Sequence, residues 1–293
     1  FVDLGILDVL QIFGRAGRPQ YEDVGVGYIC TAGEKVPHYI EAITSSHPIE
    51  SRFLSGIVDA LNAEVALGSV SSVADGVSWL GFTYLYTRLN KAPLVYGIDL
   101  ADLAADPSLT TRREHWITNA ARILVEHEMV VMDAGGRLHT TPVGRIASRY
   151  YLHYKTVGIF QERLRNNLRE ADALDLMSRA TDFSQIAMRD SEEAELDSLL
   201  DRVPCEVPGG AKTQQGKVNI LLQAHISNLY VDDFALVSDM RYIAQNAGRI
   251  LQSLFDLALD RGYATAAFAF LSLAKAVEHR IWPYEHPLRQ MTT

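Results

Sequence analysis

The sequence predicts a mainly α protein that opens on the end of an α/β domain and continues into a winged helix and then a helical bundle. Three observations lead there. Apolar residues recur at helical spacing over most of the 293 residues. One Gly/Arg turn near the start separates a helical run from a strand-like one. A single hairpin signal, Asp133-Ala134-Gly135-Gly136, stands among helices.

From Leu7 to Phe13 the period is helical; the run stops at Gly14-Arg15-Ala16-Gly17-Arg18-Pro19, and Val24–Thr31 then reads as a strand followed by a helix over Lys35–Thr44. Helix, turn, strand and helix make the tail of an α/β domain, which cannot bury a sheet without further strands. Because Phe1 opens in the middle of such a unit, the sequence reads as a piece of a longer protein. His47-Pro48 marks a link, since proline disfavours helix at the residue before it. The expected domains are therefore residues 1–47, 48–141 and 142–293.

The second domain begins with helices over Arg52–Ala66 and Val73–Leu89. A third runs from Arg112 to about His127, with Thr111 as its cap and Glu114 completing a capping box. Met129–Met132 and Arg137–Thr140 flank the glycine turn, and helices followed by a two-stranded wing describe a winged helix. Thr141-Pro142 then supplies an N-cap and a first-turn proline for a helix through Tyr150, extended toward Arg165 after a break near Gly158. Helices follow at Ala171–Ala180, Glu193–Asp201, Val218–Leu229, Phe234–Val237, Ser238–Arg261 and Ala264–Arg280. A Pro/Gly-rich loop, Pro204–Thr213, interrupts them. The acidic run Asp190–Glu195 is expected to be a solvated helix start.

Composition narrows the function. Lys and Arg number 27 against 36 Asp and Glu, a formal charge of −9, which argues against a broad basic surface that coats nucleic acid. Any such site must be local. No run approaches the length of a membrane span and no signal segment opens the chain, so no membrane partner is expected and a cytoplasmic and nuclear location is. Cys30 and Cys205 fit reduced thiols. The histidines His38, His47, His153, His225 and His279 are scattered without metal-ligand spacing, so no metal site is expected within the chain.

The chemistry concentrates in Gln11-Ile12-Phe13-Gly14-Arg15-Ala16-Gly17-Arg18-Pro19. A transferring γ-phosphoryl group spreads negative charge over its oxygens, and guanidinium groups meet that charge through paired hydrogen bonds. Glycines on both sides of Ala16 let the backbone bend so that Arg15 and Arg18 can point the same way.

This segment resembles the sixth conserved motif of superfamily 2 helicases at every defining position. Further phrases resemble the Ski-type DExH helicases, within them the tandem-cassette group and its cointegrator and ribosome-quality-control branch. They are Leu61-Asn62-Ala63-Glu64, Trp79-Leu80-Gly81-Phe82-Thr83-Tyr84-Leu85-Tyr86, Tyr96-Gly97-Ile98, Gly144-Arg145-Ile146-Ala147-Ser148 and Lys217-Val218-Asn219-Ile220-Leu221-Leu222-Gln223-Ala224. The intact arginine motif implies the C-terminal part of the first cassette, beginning in the second RecA-like domain.

By that resemblance Arg18 is the arginine finger, Arg15 a second γ-phosphate contact and Gln11 a polar sensor, with Gly14 and Gly17 completing the ATP-facing turn. ATP and Mg²⁺ would be bound mainly by parts outside this sequence, which has neither a G-x-x-x-x-G-K-[ST] phosphate loop nor a D-E-x-H motif. The implied activity is ATP-driven 3′ to 5′ translocation on single-stranded RNA or DNA, for remodelling ribonucleoprotein, in ribosome quality control, or in DNA repair. Implied partners are that nucleic acid and the other subunits of a cointegrator or ribosome-quality-control complex.

The helix Ser238–Arg261 would be the ratchet of such a motor, with Tyr242, Gln245, Asn246, Arg249 and Gln252 facing the nucleic acid. A ring, amides and a guanidinium suit sequence-blind binding of a single strand. The competing reading of the same stripe is the solvated polar face that every bundle helix carries. The alternative for the whole chain is a non-catalytic winged-helix and bundle scaffold that binds proteins.

Overall fold

The computed structural model describes residues 6–17, 24–44 and 49–288. The chain divides into two compact units, Phe1–Ser51 and Arg52–Thr293.

In the first unit, α1 (Ile6–Phe13) packs on α2 (Val36–Thr44), and a 3₁₀ turn at Gly33–Lys35 leads into α2. Val9 on α1 and Tyr39 on α2 are buried. The strand expected over Val24–Thr31 does not form. A strand is completed by a neighbour's N–H and C=O groups, and among the described residues this segment finds none.

The second unit starts with a 3₁₀ turn at Phe53–Gly56. Then come α3 (Ile57–Leu67), α4 (Val73–Leu80), α5 (Tyr84–Lys91), α6 (Leu100–Ala105) and α7 (Thr110–Glu126). β1 (Val130–Met132) and β2 (Leu138–Thr140) pair antiparallel with Val131 opposite His139, and Leu138 N–H donates to Ser71 O. At the hairpin turn Asp133 accepts the N–H groups of Gly135 and Arg137, while Gly136 takes φ +76°. Helices plus this wing form a winged helix, as the hairpin signal predicted.

Two details differ from expectation. The run Val73–Leu89 is two helices, because Thr83 accepts Tyr86 N–H and starts a new one after Gly81-Phe82. No Thr111/Glu114 box opens α7; instead Leu109 turns the chain at φ +51° and the Asp106 carboxylate accepts Thr111 N–H at 2.8 Å. An acceptor five residues upstream satisfies the free donor of the first turn just as well.

The bundle comprises α8 (Pro142–Tyr150), α9 (Tyr154–Arg163), α10 (Glu170–Ser178), α11 (Glu193–Leu200), α12 (Gln214–Ile226), α13 (Phe234–Asp260) and α14 (Ala264–His279). Thr141 caps α8 by accepting Gly144 N–H, with Pro142 in the first turn, as expected. The following break falls at Tyr151–His153, where Tyr151 has φ +53°, and not at Gly158. Gly158 lies inside α9, where an added Cβ would stand 2.7 Å from the His127 ring. α13 is one continuous 27-residue helix and not two, opened by Asp233, whose carboxylate accepts the N–H groups of Ala235 and Leu236.

α12 runs through the middle of the bundle, and α13 packs against it, against α14 and against α8. Its polar residues must therefore find partners inside the protein. Lys217, fully buried, reaches Glu192, Asp239 at 2.8 Å and Ala187 O, while Arg189 pairs with Glu192 and Asp239. Glu192 is itself 0% exposed, so the acidic run is not a simply solvated helix start. Gln223 exchanges two hydrogen bonds with the backbone of Cys205, tying the Pro/Gly loop to the core.

The winged helix and bundle share one apolar core. Where they join, Asn62 on α3 donates to Gly144 O on α8 at 2.9 Å, and a Cβ on Gly144 would stand 2.0 Å from Met129 O. No helix among the described residues is long and apolar enough to cross a membrane.

Candidate functional site

The arginine turn is built by the end of α1. Gly14 N–H closes the last helical turn on Leu10 O at 2.9 Å, Arg15 N–H and Ala16 N–H donate to Ile12 O and Phe13 O, and Gly17 has φ +99°. That value lies in the left-handed region, where glycine carries no steric penalty, so the backbone can bend at Gly17. The segment after the turn lies against it: a Cβ on Gly25 would overlap Ala16 O at 1.8 Å, and one on Gly27 would overlap the Phe13 ring at 1.9 Å. Both glycines are there because the backbone comes this close.

Gln11, Gly14 and Arg15 are exposed, and among the described residues Arg15 has no ion-pair partner. Beside them is a cleft of about 440 Å³ whose lining includes Arg15, Phe13, Ala16, Gly27 and Tyr39. Arg18, the expected arginine finger, lies outside the described residues. An unpaired guanidinium on a glycine bend beside a cleft has the donor chemistry for a γ-phosphate. Among the described residues no group of three or more His, Cys, Asp or Glu could hold a metal ion.

In the second unit the five residues expected on the ratchet helix separate into two sets. Tyr242, Asn246 and Arg249 are half-buried on the flank of α13, whereas Gln245 and Gln252 are exposed. Arg249 is the hub of the flank. One guanidinium nitrogen donates to the carbonyls of Tyr150 and Tyr151; the other donates to Asp182 at 2.7 Å and to Asn246 at 3.2 Å. Tyr242 OH donates to Asp182 O, and Asn246 donates to Tyr242 O.

A cation over the last carbonyls of α8 meets the negative end of that helix, which gives Arg249 a structural role whatever else it binds. Asp182, at the centre of this arrangement, was not singled out in the sequence. It lies in a short 3₁₀ turn, and nothing in its local spacing points to α13, sixty-seven positions from Asp182 to Arg249. Burial first, and then the nearby Asp182, raise the carboxyl pKa of Asp59, opposed by His153 and by the Tyr154 N–H that Asp59 accepts.

On the second helix of interest, α7, Arg113 is buried while Arg112 and Arg122 are exposed, and each of the three has a partner within the fold. Arg113 donates to Val77 O and stacks on Tyr86, Arg122 pairs with Glu126 at 2.6 Å, and Arg112 reaches Gly97 O and lies over Trp116. Through Arg113, α7 is tied to α4 at Val77 and to α5 at Tyr86.

The similarities to known proteins follow the same layout. The family model of the Sec63 Brl domain matches residues 140–289, just over half of the chain, and that of a winged helix-turn-helix domain matches residues 50–127. The chain is 44% identical over 295 residues to activating signal cointegrator 1 complex subunit 3 of Homo sapiens, which covers 100% of this chain and 13% of that protein. It is 43% identical over 293 residues to RQC trigger complex helicase SLH1 of Saccharomyces cerevisiae, covering 99% of this chain and 15% of the relative. Against DExH-box ATP-dependent RNA helicase DExH14 of Arabidopsis thaliana it is 41% identical over 290 residues, 98% of this chain and 13% of the relative.

The chain thus spans a small part of the length of these relatives. The resemblance to DExH helicases of the cointegrator and ribosome-quality-control branch holds along its whole length. With its winged helix leading into an all-helical bundle, the chain belongs to the Sec63 Brl domain family, in the cassette segment that it shares with those helicases.

Proposed function

We propose that this chain works as part of an ATP-dependent 3′ to 5′ helicase, supplying the arginine turn that senses nucleotide and the helix that holds a nucleic-acid strand. In this reading the parts are residues 1–47 as the end of a RecA-like domain, 48–141 as a winged-helix joint and 142–293 as a ratchet bundle. The observation that carries the proposal is the turn itself: Arg15 stands exposed on a glycine bend that lines a cleft, with Gln11 exposed on the preceding turn of α1, and neither has a partner among the described residues. Arg15 and Arg18 would neutralise γ-phosphate charge, and Gln11 would report its presence. ATP with Mg²⁺, held by a phosphate loop that this sequence does not contain, would supply the phosphoanhydride whose cleavage would drive movement.

Strand contact falls to α13, with Gln245 and Gln252 toward the nucleic acid and Tyr242, Asn246 and Arg249 beside them. The substrates are single-stranded RNA or DNA in ribonucleoprotein remodelling, ribosome quality control or DNA repair, in the cytoplasm and nucleus. The partners are subunits of a cointegrator or ribosome-quality-control complex. A polypeptide carrying this chain behind an ATP-binding half should unwind a duplex with a 3′ single-stranded tail and leave a 5′-tailed duplex intact. Equal unwinding of both, or of neither, removes the proposal.

A second reading, a protein-binding scaffold, draws on one feature. Phe82 is 91% exposed, and Leu94 and Val95 are also solvent-facing on the winged helix. Strand-independent capture of a complex subunit by the chain, lost on Phe82→Ser, would favour it.

A further inference from the structure

The formal charge of the chain is −9, so a phosphate backbone is repelled unless cations gather locally. They gather at one place. Arg163, Arg165 and Arg169 fall within seven residues, from the last residue of α9 to the residue before α10, and no other stretch of that length in the sequence holds three Lys or Arg. No carboxylate lies between them, and Glu162 and Glu170 stand just outside.

The fold turns these cations outward and holds the segment in place. Leu164 is buried and Leu168 packs against the core, so two inward leucines pin the loop. Leu164 N–H donates to Phe160 O at 2.8 Å, and Arg169 N–H donates to the Asp172 carboxylate at 3.0 Å where α10 begins. Around those anchors Arg163, Arg165, Asn166, Asn167 and Arg169 are all exposed. Other arginines of the second unit are drawn to carboxylates: Arg122 to Glu126, Arg149 to Asp256, Arg179 to Asp175 and Arg249 to Asp182. Among the described residues Arg163, Arg165 and Arg169 form no ion pair, and Arg165 donates one N–H to Leu164 O.

We propose that the loop between α9 and α10 is a second nucleic-acid site, one that takes the phosphate backbone of a duplex. The inference rests on the reading of the chain as part of a nucleic-acid motor and assigns it a contact apart from α13. Each guanidinium can fork onto two phosphate oxygens, and the exposed amides of Asn166 and Asn167 add donors beside them. The loop holds no aromatic residue, so it offers no platform for an unstacked base. Phosphate contact alone fixes position without reading sequence, which suits paired strands. A single carboxylate of a protein partner needs one guanidinium; three along at most about 20 Å of chain match a duplex, which carries one charge per ~1.7 Å of its axis.

The test is the salt dependence of binding to a labelled blunt-ended DNA duplex by the full 293-residue chain. Three triple variants are compared with the parent: Arg163→Ala/Arg165→Ala/Arg169→Ala, the same three positions changed to Lys, and Lys91→Ala/Arg202→Ala/Lys275→Ala, which removes equal charge from exposed positions elsewhere. The slope of log affinity against log salt should become shallower by about two to three in the loop Ala variant, and should stay near the parent value in the Lys variant and in the distant one. All substituted side chains are exposed, so thermal midpoints should agree within about 2 °C. Should the loop Ala variant melt lower, Arg169→Ala alone reads the site, with a slope change of about one. An unchanged slope in the loop variant, or an equal loss in the distant one, overturns the inference. So does binding of a labelled glutamate-rich peptide that depends on the three arginines when duplex binding does not. A parent that binds a single-stranded oligonucleotide but no duplex overturns the loop site and leaves the motor reading standing; a parent that binds neither overturns both.

Discussion

Residues 6–44 and residues 52–288 use the same kinds of side chain and treat them differently. In the first region Leu10, Ile12, Val24, Val26, Ile40 and Ile43 are exposed, while Val9 and Tyr39 are its buried hydrophobics among the described residues. In the second a continuous apolar core runs from Ile57 to Trp282 and closes around α12. A helix satisfies its backbone within itself, so α1 and α2 form in either setting; a strand needs another strand's backbone, and Val24–Thr31 remains without one among the described residues. The second region closes a continuous core and the first displays its chemistry.

The largest expected break lies in that packed region. Lys217→Met removes the cation that Glu192 and Asp239 share and leaves the fully buried Glu192 with Arg189 alone. Removing one partner of a buried pair costs about 3–5 kcal/mol, so the denaturation midpoint should drop sharply. Adding Glu192→Leu to the same chain should recover most of the loss, because an apolar pair of similar volume needs no desolvation. Failure of the double variant to recover would mean that the network specifies the packing of α12 beyond its charge balance.

A smaller effect belongs to the wing. The Arg137 N–H first, together with His139 and Gly135 N–H, holds the Asp133 carboxyl below its ordinary pKa. A group depressed in the folded state contributes stability that is present above its unfolded pKa, near 4, and is lost as pH falls through the folded value. Amide-exchange protection of the β1–β2 hairpin should therefore decline in acid below about pH 4, and Asp133→Asn should flatten that decline.

The smallest effect is predicted in the first region, where Ile12→Ser at a 59% exposed position should leave the unfolding free energy of the chain within about 0.5 kcal/mol. A larger loss would show that Ile12 packs in solution and would narrow the contrast between the regions.

How much of this was legible in the sequence follows the same contrast. The hairpin turn at Asp133–Gly136 and the Thr141-Pro142 start of α8 were readable because their signals are local and the nearby chain satisfies them. The boundary between α4 and α5 was not, because the apolar period runs on through Gly81 and only the Thr83 hydroxyl restarts the helix. Likewise, periodicity identifies α13 as amphipathic but cannot show that Arg249 turns toward Asp182 and α8 while Gln245 and Gln252 are exposed. That division is set by partners far away in sequence. Lys217 and Gln223, legible only as part of a familiar phrase, prove to be the polar interior of a helix with no solvent-facing side.

The account turns on whether the arginine bend meets a nucleotide. The direct measurement is steady-state, strand-stimulated ATP hydrolysis by a cassette in which this chain follows its ATP-binding half, with Arg15→Ala and Arg18→Ala made separately. An arginine finger contributes roughly 10³–10⁵ in kcat, so the expected result is a fall of at least about 10³ for Arg18→Ala, a smaller fall for Arg15→Ala, and unchanged affinity for single-stranded RNA in both. Hydrolysis at the parent rate in both variants would contradict the account.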